Sequence, residues 1–199
     1  MNFNENIWDI AYQTHTKVFA VSNKKGKVNI VKNFQLAQTV EVPGPGSYGL
    51  AWVNDKLYVG GQGEIYVLDK DFKHERTFSV PEAATIYYIH YHDQKLFLTD
   101  WTSVTCCVDL NGKNIFTFKS PNLRGPDGLA SDPVGNIYVV GRKSRNVHRL
   151  STDGNTSEIV LSDKDGIDDP VTLAFSHDYQ KLFISNKGGD EVLVFDVIY

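Results

Sequence analysis

The chain has 199 residues, of which 41% are apolar and 12% aromatic, a composition that excludes a disordered chain and supplies enough apolar side chains for a sizeable core. Its formal net charge is −4, so the field of the whole molecule does not draw in nucleic acid or an anionic membrane, and binding of either kind needs a local basic patch. No apolar run approaches the roughly 20 residues that cross a bilayer, and the start, MNFNENIWDI, lacks the basic and apolar stretches of a secretory signal, so a cytoplasmic location is expected.

In chain order the sequence reads as five units. The first, over residues 7–42, holds Ile10-Ala11, then KVFAV from Lys17, KVNIVK from Lys27 and QTVEV at 38–42. The second, 47–80, repeats this as Leu50-Ala51, KLYVG from Lys56, EIYVLD from Glu64 and RTFSV at 76–80. The third, 86–120, has Ile89-His90, KLFLT from Lys95, VTCCVD from Val104 and NIFTF at 114–118. In the fourth, 126–162, Leu129-Ala130 is followed by NIYVV from Asn136, NVHRL from Asn146 and SEIVL at 157–161. The fifth, 170–199, carries Leu173-Ala174, KLFIS from Lys181 and EVLVFD from Glu191, and stops after that third strand.

The second strands recur at intervals of 39, 39, 41 and 45 residues. Each segment is short, rich in Val, Ile, Phe and Tyr, and bounded by turn chemistry such as Asn54-Asp55 or Asp109-Leu110-Asn111-Gly112, which is how antiparallel strands read. Four such strands per unit of about 40 residues predict an all-β β-propeller over residues 1–199, because a single blade cannot bury its faces alone. A stack of TPR or ankyrin units would need helical spacing, which no segment sustains. Cys106 and Cys107 are the sole cysteines; adjacent in a strand, they point to opposite faces and are expected to be packed thiols.

Pro126-Asp127-Gly128-Leu129-Ala130, Asp132, Gly135 to Val140, Asn146-Val147, Leu150 and Asp153-Gly154 together resemble one complete NHL repeat. The fifth unit is similar but reads Pro170-Val171-Thr172 where Pro-x-Gly is expected, and the first three keep mainly the strand pattern. Such repeats form the C-terminal propeller of tripartite-motif (TRIM) ubiquitin-ligase proteins. The resemblance implies a ring of the six-bladed, TolB-like kind and a module that recognises a protein target, with structured RNA as the alternative ligand. Two adjacent cysteines cannot encode the zinc-binding RING and B-box units of that family, so any ligase part would lie elsewhere.

Five units, the last without an outer strand, leave the ring short. Residues 1–6 could close it, but MNFNEN has poor strand propensity and only Phe3 to bury. An open fan exposes an apolar face at each end, so the expectation is a missing upstream region or, next to that, self-association.

In a propeller the loops joining second to third strands share one face with the loops between blades, and that face is the expected binding surface. Its candidates are Lys24, Lys25, Trp101, Arg124, Arg142, Lys143, Arg145 and Lys187, interspersed with Glu82 and the acidic run Asp163, Asp165, Asp168 and Asp169. A mixed face suits a protein partner better than a phosphate backbone, which wants neutralising contacts without nearby carboxylates. The plainer alternatives are a solvated basic loop for Arg142, Lys143 and Arg145, and a packing role for Trp101, the one loop aromatic read as able to stack on a base.

His90 and His92 lie on one face of a strand and form half of a conceivable metal site, but no third ligand is evident and a hydrogen-bonded core histidine is the expectation. A metal-dependent lactonase is the enzymatic alternative. The segment VTLAFSHDYQKLFIS resembles one in proteins similar to senescence marker protein 30, yet Thr172 and Ser185-Asn186 stand where that family has its Asn and Asp. No Gly-x-Ser-x-Gly, Walker loop or His-Glu-x-x-His occurs. The prediction is a non-catalytic binding module without a cofactor.

Overall fold

The computed structural model describes residues 7–102 and 105–197. Nineteen strands form five antiparallel sheets, each with its strands in sequence order. Blade one is β1 (Ile10–Gln13), β2 (Val18–Ser22), β3 (Lys27–Lys32) and β4 (Gln35–Glu41); blade two is β5 (Leu50–Val53), β6 (Lys56–Gly60), β7 (Glu64–Leu68) and β8 (His74–Ser79). Blade three is β9 (Tyr88–His92), β10 (Lys95–Thr99), β11 (Thr105–Asp109) and β12 (Asn114–Phe118); blade four is β13 (Pro126–Ser131), β14 (Ile137–Gly141), β15 (Asn146–Leu150) and β16 (Ser157–Leu161). Blade five has three strands, β17 (Thr172–Phe175), β18 (Lys181–Asn186) and β19 (Glu191–Asp196). Two single turns of 3-10 helix, Asp163–Asp165 and Lys187–Gly189, are the helical elements of the described residues.

Five blades are thus present, and the six-bladed count implied by the NHL resemblance is not what the chain forms. The closing strand considered for residues 1–6, with Phe3, lies outside the described residues, as does Val104, with which the sequence reading began the third unit's third segment.

The turns follow from local chemistry. Asp69 Oδ1 accepts the N–H groups of Asp71 and Lys73 at 2.9 Å each, and Asp109 Oδ1 does the same for Asn111 at 2.8 Å and Lys113 at 2.9 Å. A short carboxylate that satisfies two backbone donors fixes the reversal between the third and fourth strands. In every complete blade that outer pair also carries a register shift, between Ile30 and Val31, Val67 and Leu68, Cys107 and Val108, and Val147 and His148, a bulge that adds local twist to the outer strand.

Blade one departs from the sequence alignment by one residue. Aligning Lys17 with Lys56 equates Phe19 with Tyr58, whereas the register pairs Tyr12 with Phe19 as it pairs Trp52 with Leu57. The cause is the turn: four residues, 14–17, separate β1 from β2, against Asn54-Asp55 alone in blade two.

The core is a series of seams between blades, and each seam takes one face from each neighbour. Val18, Ala20, Val28 and Ile30 of blade one meet Leu50, Leu57, Val59, Tyr66 and Leu68 of blade two. Ala51, Tyr58, Ile65 and Val67 meet Ile89, Leu96, Leu98, Cys106 and Val108. Phe97 and Cys107 meet Leu129, Ile137, Val139 and Leu150, and Tyr138, Val140 and Val147 meet Leu173, Leu182 and Ile184. Cys106 and Cys107 therefore serve opposite seams, both unpaired, and burial pushes each thiol up to about 12, which keeps them unreactive.

First strands of successive blades stand side by side from β1 to β17, and no contact of comparable extent joins β17 back to β1 among the described residues. Among the described residues no strand covers the two outermost faces. Ile10 is 60% exposed, Tyr12 48% and Leu36 50% at one end, and Val192 is 61% and Val194 52% exposed at the other.

Candidate functional site

The first strands converge at one mouth of the propeller, and the residues just before them form its rim. Two positions ahead of the strand-one Ile or Leu stand Trp8, Tyr48, Tyr87, Asp127 and Val171; one position ahead stand Asp9, Gly49, Tyr88, Gly128 and Thr172. Two glycines here are required by close approach. A Cβ at Gly49 would come 2.6 Å from Tyr88 Cα, and one at Gly128 would come 2.5 Å from Thr172 Cα, distances at which backbone would have to move. Gly128 N–H also donates to the Val171 carbonyl at 2.9 Å, tying blade four to blade five at the rim.

Blades one to three make the mouth aromatic. Trp8 lies 5.3 Å from Tyr87, 6.0 Å from Tyr48 and 6.2 Å from Tyr88 between ring centroids, and Tyr87 lies 5.2 Å from Tyr48 and 6.1 Å from Trp101. These are edge and tilted contacts of the kind aromatic quadrupoles favour. The Trp8 indole N–H donates to the Tyr87 carbonyl at 2.9 Å, which fixes the first ring against the third blade. Two cations sit on the cluster: Lys24 Nζ is 3.8 Å from the Trp8 ring centroid and Lys143 Nζ is 5.0 Å from that of Trp101. Both distances fall within the range of cation–π attraction.

Blades four and five make it ionic. Arg142 donates from Nε to Asp169 Oδ1 at 2.6 Å and from Nη2 to Asp169 Oδ2 at 3.0 Å, a bidentate pair. Its Nη1 stands 3.8 Å from Asp127 Oδ2. Arg145 lies 3.8 Å from Asp168, and Lys187 lies 3.3 Å from Glu191. The Arg142 hydrogen bonds hold the Asp169 carboxyl below its ordinary value. Burial does the reverse at Asp127, raising it to about 7 against the opposing pull of Arg142, and at Asp9, raised to about 6 although Leu50 and Ile10 both donate backbone N–H groups to it at 2.8 Å. Burial and the charge of Asp127 also push the Tyr88 hydroxyl well above its usual range.

Of the residues expected on this face, Lys24, Trp101, Arg142 and Lys143 are brought together at the mouth. Arg145 and Lys187 are at its ionic edge, paired with carboxylates of blade five and the loop before it. Arg124 and Lys25 are exposed; the Arg124 backbone shapes the neighbouring loop by accepting the Lys143 N–H at 3.0 Å, and the Lys25 N–H donates to Asn23 Oδ1 at 3.1 Å. The reading of Trp101 as the one loop aromatic is corrected: Trp8, Tyr48 and Tyr87 join it from outside the strands, and Tyr88 joins it as the first residue of β9. The signal that would have found them is their shared place in the repeat, just ahead of each first strand.

His90 and His92 are engaged by one neighbouring side chain. Both imidazoles converge on one hydroxyl, His90 Nε2 at 2.9 Å and His92 Nδ1 at 3.1 Å from Ser131 Oγ, and no cluster of three or more metal-ligating side chains occurs among the described residues. Burial and the neighbouring His92 bring His90 down to about 4, so it is neutral near pH 7. His90 borders a cleft of about 360 Å³ along blades three to five, which also takes in Ser131, His177 and Tyr179. Asn186, which stands in the lactonase-like segment, has its amide committed to structure: Oδ1 accepts the Asp168 N–H at 2.8 Å, and Nδ2 donates to Gly166 O at 3.1 Å and to Glu191 Oε2 at 2.8 Å.

No helix among the described residues is long and apolar enough to cross a membrane. No family profile matches the chain. Among solved structures, it is similar to the Myceliophteria thermophila Cps50 (Swd1) β-propeller domain, with 13% identity and a TM-score of 0.73 over 98% of this chain and 66% of that one. It is similar to the WD40 β-propeller domain of Doa1 at 13% identity and a TM-score of 0.79 over 100% of this chain and 66% of that one. The streptogramin B lyase structure gives 12% identity and a TM-score of 0.75 over 97% and 69%. The chain thus spans about two thirds of the length of these propellers. At such identities the likeness establishes the fold: this is an all-β β-propeller.

Proposed function

We propose that the chain is a non-catalytic recognition propeller that holds a protein partner on the mouth formed by blades one to five. The observation that carries this reading is the gathering of Trp8, Tyr48, Tyr87, Tyr88 and Trp101 from three separate blades onto one partly open surface. Aromatic side chains of this kind supply large contact area at low entropic cost, and they are enriched at protein interfaces. In this reading the chain is one propeller over residues 1–199, serving in the cytoplasm as the target-recognition part of a TRIM-like ligase, and the resemblance of the fourth unit to an NHL repeat is what supports it.

Phosphate recognition is less well served. Arg142, Arg145 and Lys187 face Asp169, Asp168 and Glu191, so an RNA backbone would have to displace carboxylates from the cations it needs. The test is capture from the native cell extract on the intact chain, compared with Trp101→Ala combined with Tyr87→Ala, and with Phe34→Ala on the remote open face of blade one. The reading expects a protein lost with the mouth variant and kept with the Phe34 variant. Retention of every bound protein by the mouth variant, or a bound fraction removed by ribonuclease, would overturn it.

A further inference from the structure

We propose that the mouth takes the cationic side chain of a lysine or arginine on the partner protein, seated on the Trp8 ring and answered by Asp127 and Asp9. This rests on the protein-binding reading above and specifies its chemistry.

Three observations support it. First, the Trp8 face already holds an organic cation, the Lys24 ammonium, at 3.8 Å. Lys24 is exposed and sits on the loop between β2 and β3, so the same ring can receive an incoming ammonium or guanidinium once that flexible side chain swings into solvent. Second, the Asp127 side chain is only 5% exposed and no hydrogen bond to its carboxylate forms among the described residues. Its near cation, Arg142, is 3.8 Å away and is engaged through two other nitrogens by Asp169. A buried carboxylate so thinly matched favours an additional positive group, and its raised pKa of about 7 agrees with that deficit. Third, Asp9 brings a second carboxylate beside the ring, held by the backbone N–H groups of Leu50 and Ile10 at 2.8 Å rather than by a cation. Tyr88 links the two halves, packing 6.2 Å from Trp8 and lying in the field of Asp127, Asp9 and Arg142.

The inference makes Lys24 a placeholder, and this gives the test a sign. The intact chain is titrated with acetyl-Gly-Lys-Gly amide and acetyl-Gly-Arg-Gly amide, with the Gln and Glu tripeptides as controls, following the Trp8 indole N–H by NMR. Cationic peptides are expected to shift that resonance and the Gln and Glu peptides to leave it unmoved. Lys24→Ala should tighten binding about threefold, by clearing the ring, while Asp127→Asn and Trp8→Leu should each weaken it about tenfold. Trp8→Phe, which preserves packing, should weaken it less than Trp8→Leu, and the thermal melt of each variant separates lost binding from lost fold. Weaker binding by Lys24→Ala, or preference for the Glu peptide, would overturn the inference and make Lys24 itself the recognition group. Capture of a protein by the intact chain that survives Trp8→Leu and Asp127→Asn would leave the recognition reading standing and sink this one.

Discussion

The two halves of the mouth are built on the same repeat and reach opposite solutions, with Asp127 standing where the other half has Trp8, Tyr48 and Tyr87. Blades one to three fill the rim with rings that satisfy one another through packing, and their cations rest on top. Blades four and five fill it with ions, of which Arg142 and Asp169 are well matched and Asp127 is not. The difference teaches that the repeat dictates where a rim residue stands and not what it does: the backbone delivers the position, and side-chain chemistry decides whether that position adds to stability or draws on it.

The comparison is sharpened most by the glycines beneath each half. Gly128→Val under the ionic half and Gly49→Val under the aromatic half both drive a Cβ into backbone of the next blade, and each should cost about 3 kcal/mol in urea unfolding. Equal losses would show that both halves stand on equally tight seams; a loss at one position alone would show that the other seam yields. Next in size, Arg142→Ala removes the bidentate partner of Asp169 and the near cation of Asp127, and should cost about 2 kcal/mol, discounted because the arginine is partly solvated. Adding Asp127→Asn to that variant should restore part of the loss, since the two groups share one network. Smallest, Lys24→Ala and Lys143→Ala should each change stability by about 0.5 kcal/mol; values near those of Arg142→Ala would mean the aromatic half depends on its cations after all.

Much of the architecture is legible in the sequence because strand alternation and turn aspartates are local signals. Lys56, Lys95 and Lys181 begin second strands, and Asp69 and Asp109 set the outer turns, as their neighbours dictate. The three-stranded fifth blade is also legible, through a fifth unit without a fourth strand pattern. The one-residue offset in blade one is not, because turn length between β1 and β2 changes register without disturbing the pattern of either strand. The mouth is half legible. Lys24, Arg142 and Lys143 stand out as charges in loops, but their partners are not local: Trp8 and Asp127 stand at the far end of the same unit, and Asp169 and Trp101 lie outside the cation's own unit, at separations no local pattern records. Trp8, Tyr48 and Tyr87 fall between strands, where an aromatic residue reads as a linker residue until the repeats are superposed.

The account turns on Asp127 being a buried carboxylate without adequate compensation in the free protein. Urea stability of the parent chain and of Asp127→Asn, measured from pH 4 to pH 8, tests this directly. A carboxyl raised from 3.8 to about 7 on folding binds more protons in the folded than in the unfolded state across that window. The Asp127 contribution, read as the parent stability minus that of the Asn variant, should therefore fall as pH rises from about 4 to about 7 and then level, while the lowered His90 and His148 add an opposite slope common to both chains. The predicted result is near-equal stability at pH 4 and an Asn variant more stable by about 1–3 kcal/mol at pH 8. An Asn variant less stable than the parent chain at pH 8 would contradict it, since Asp127 would then be a satisfied structural group and the mouth would hold no unmet charge.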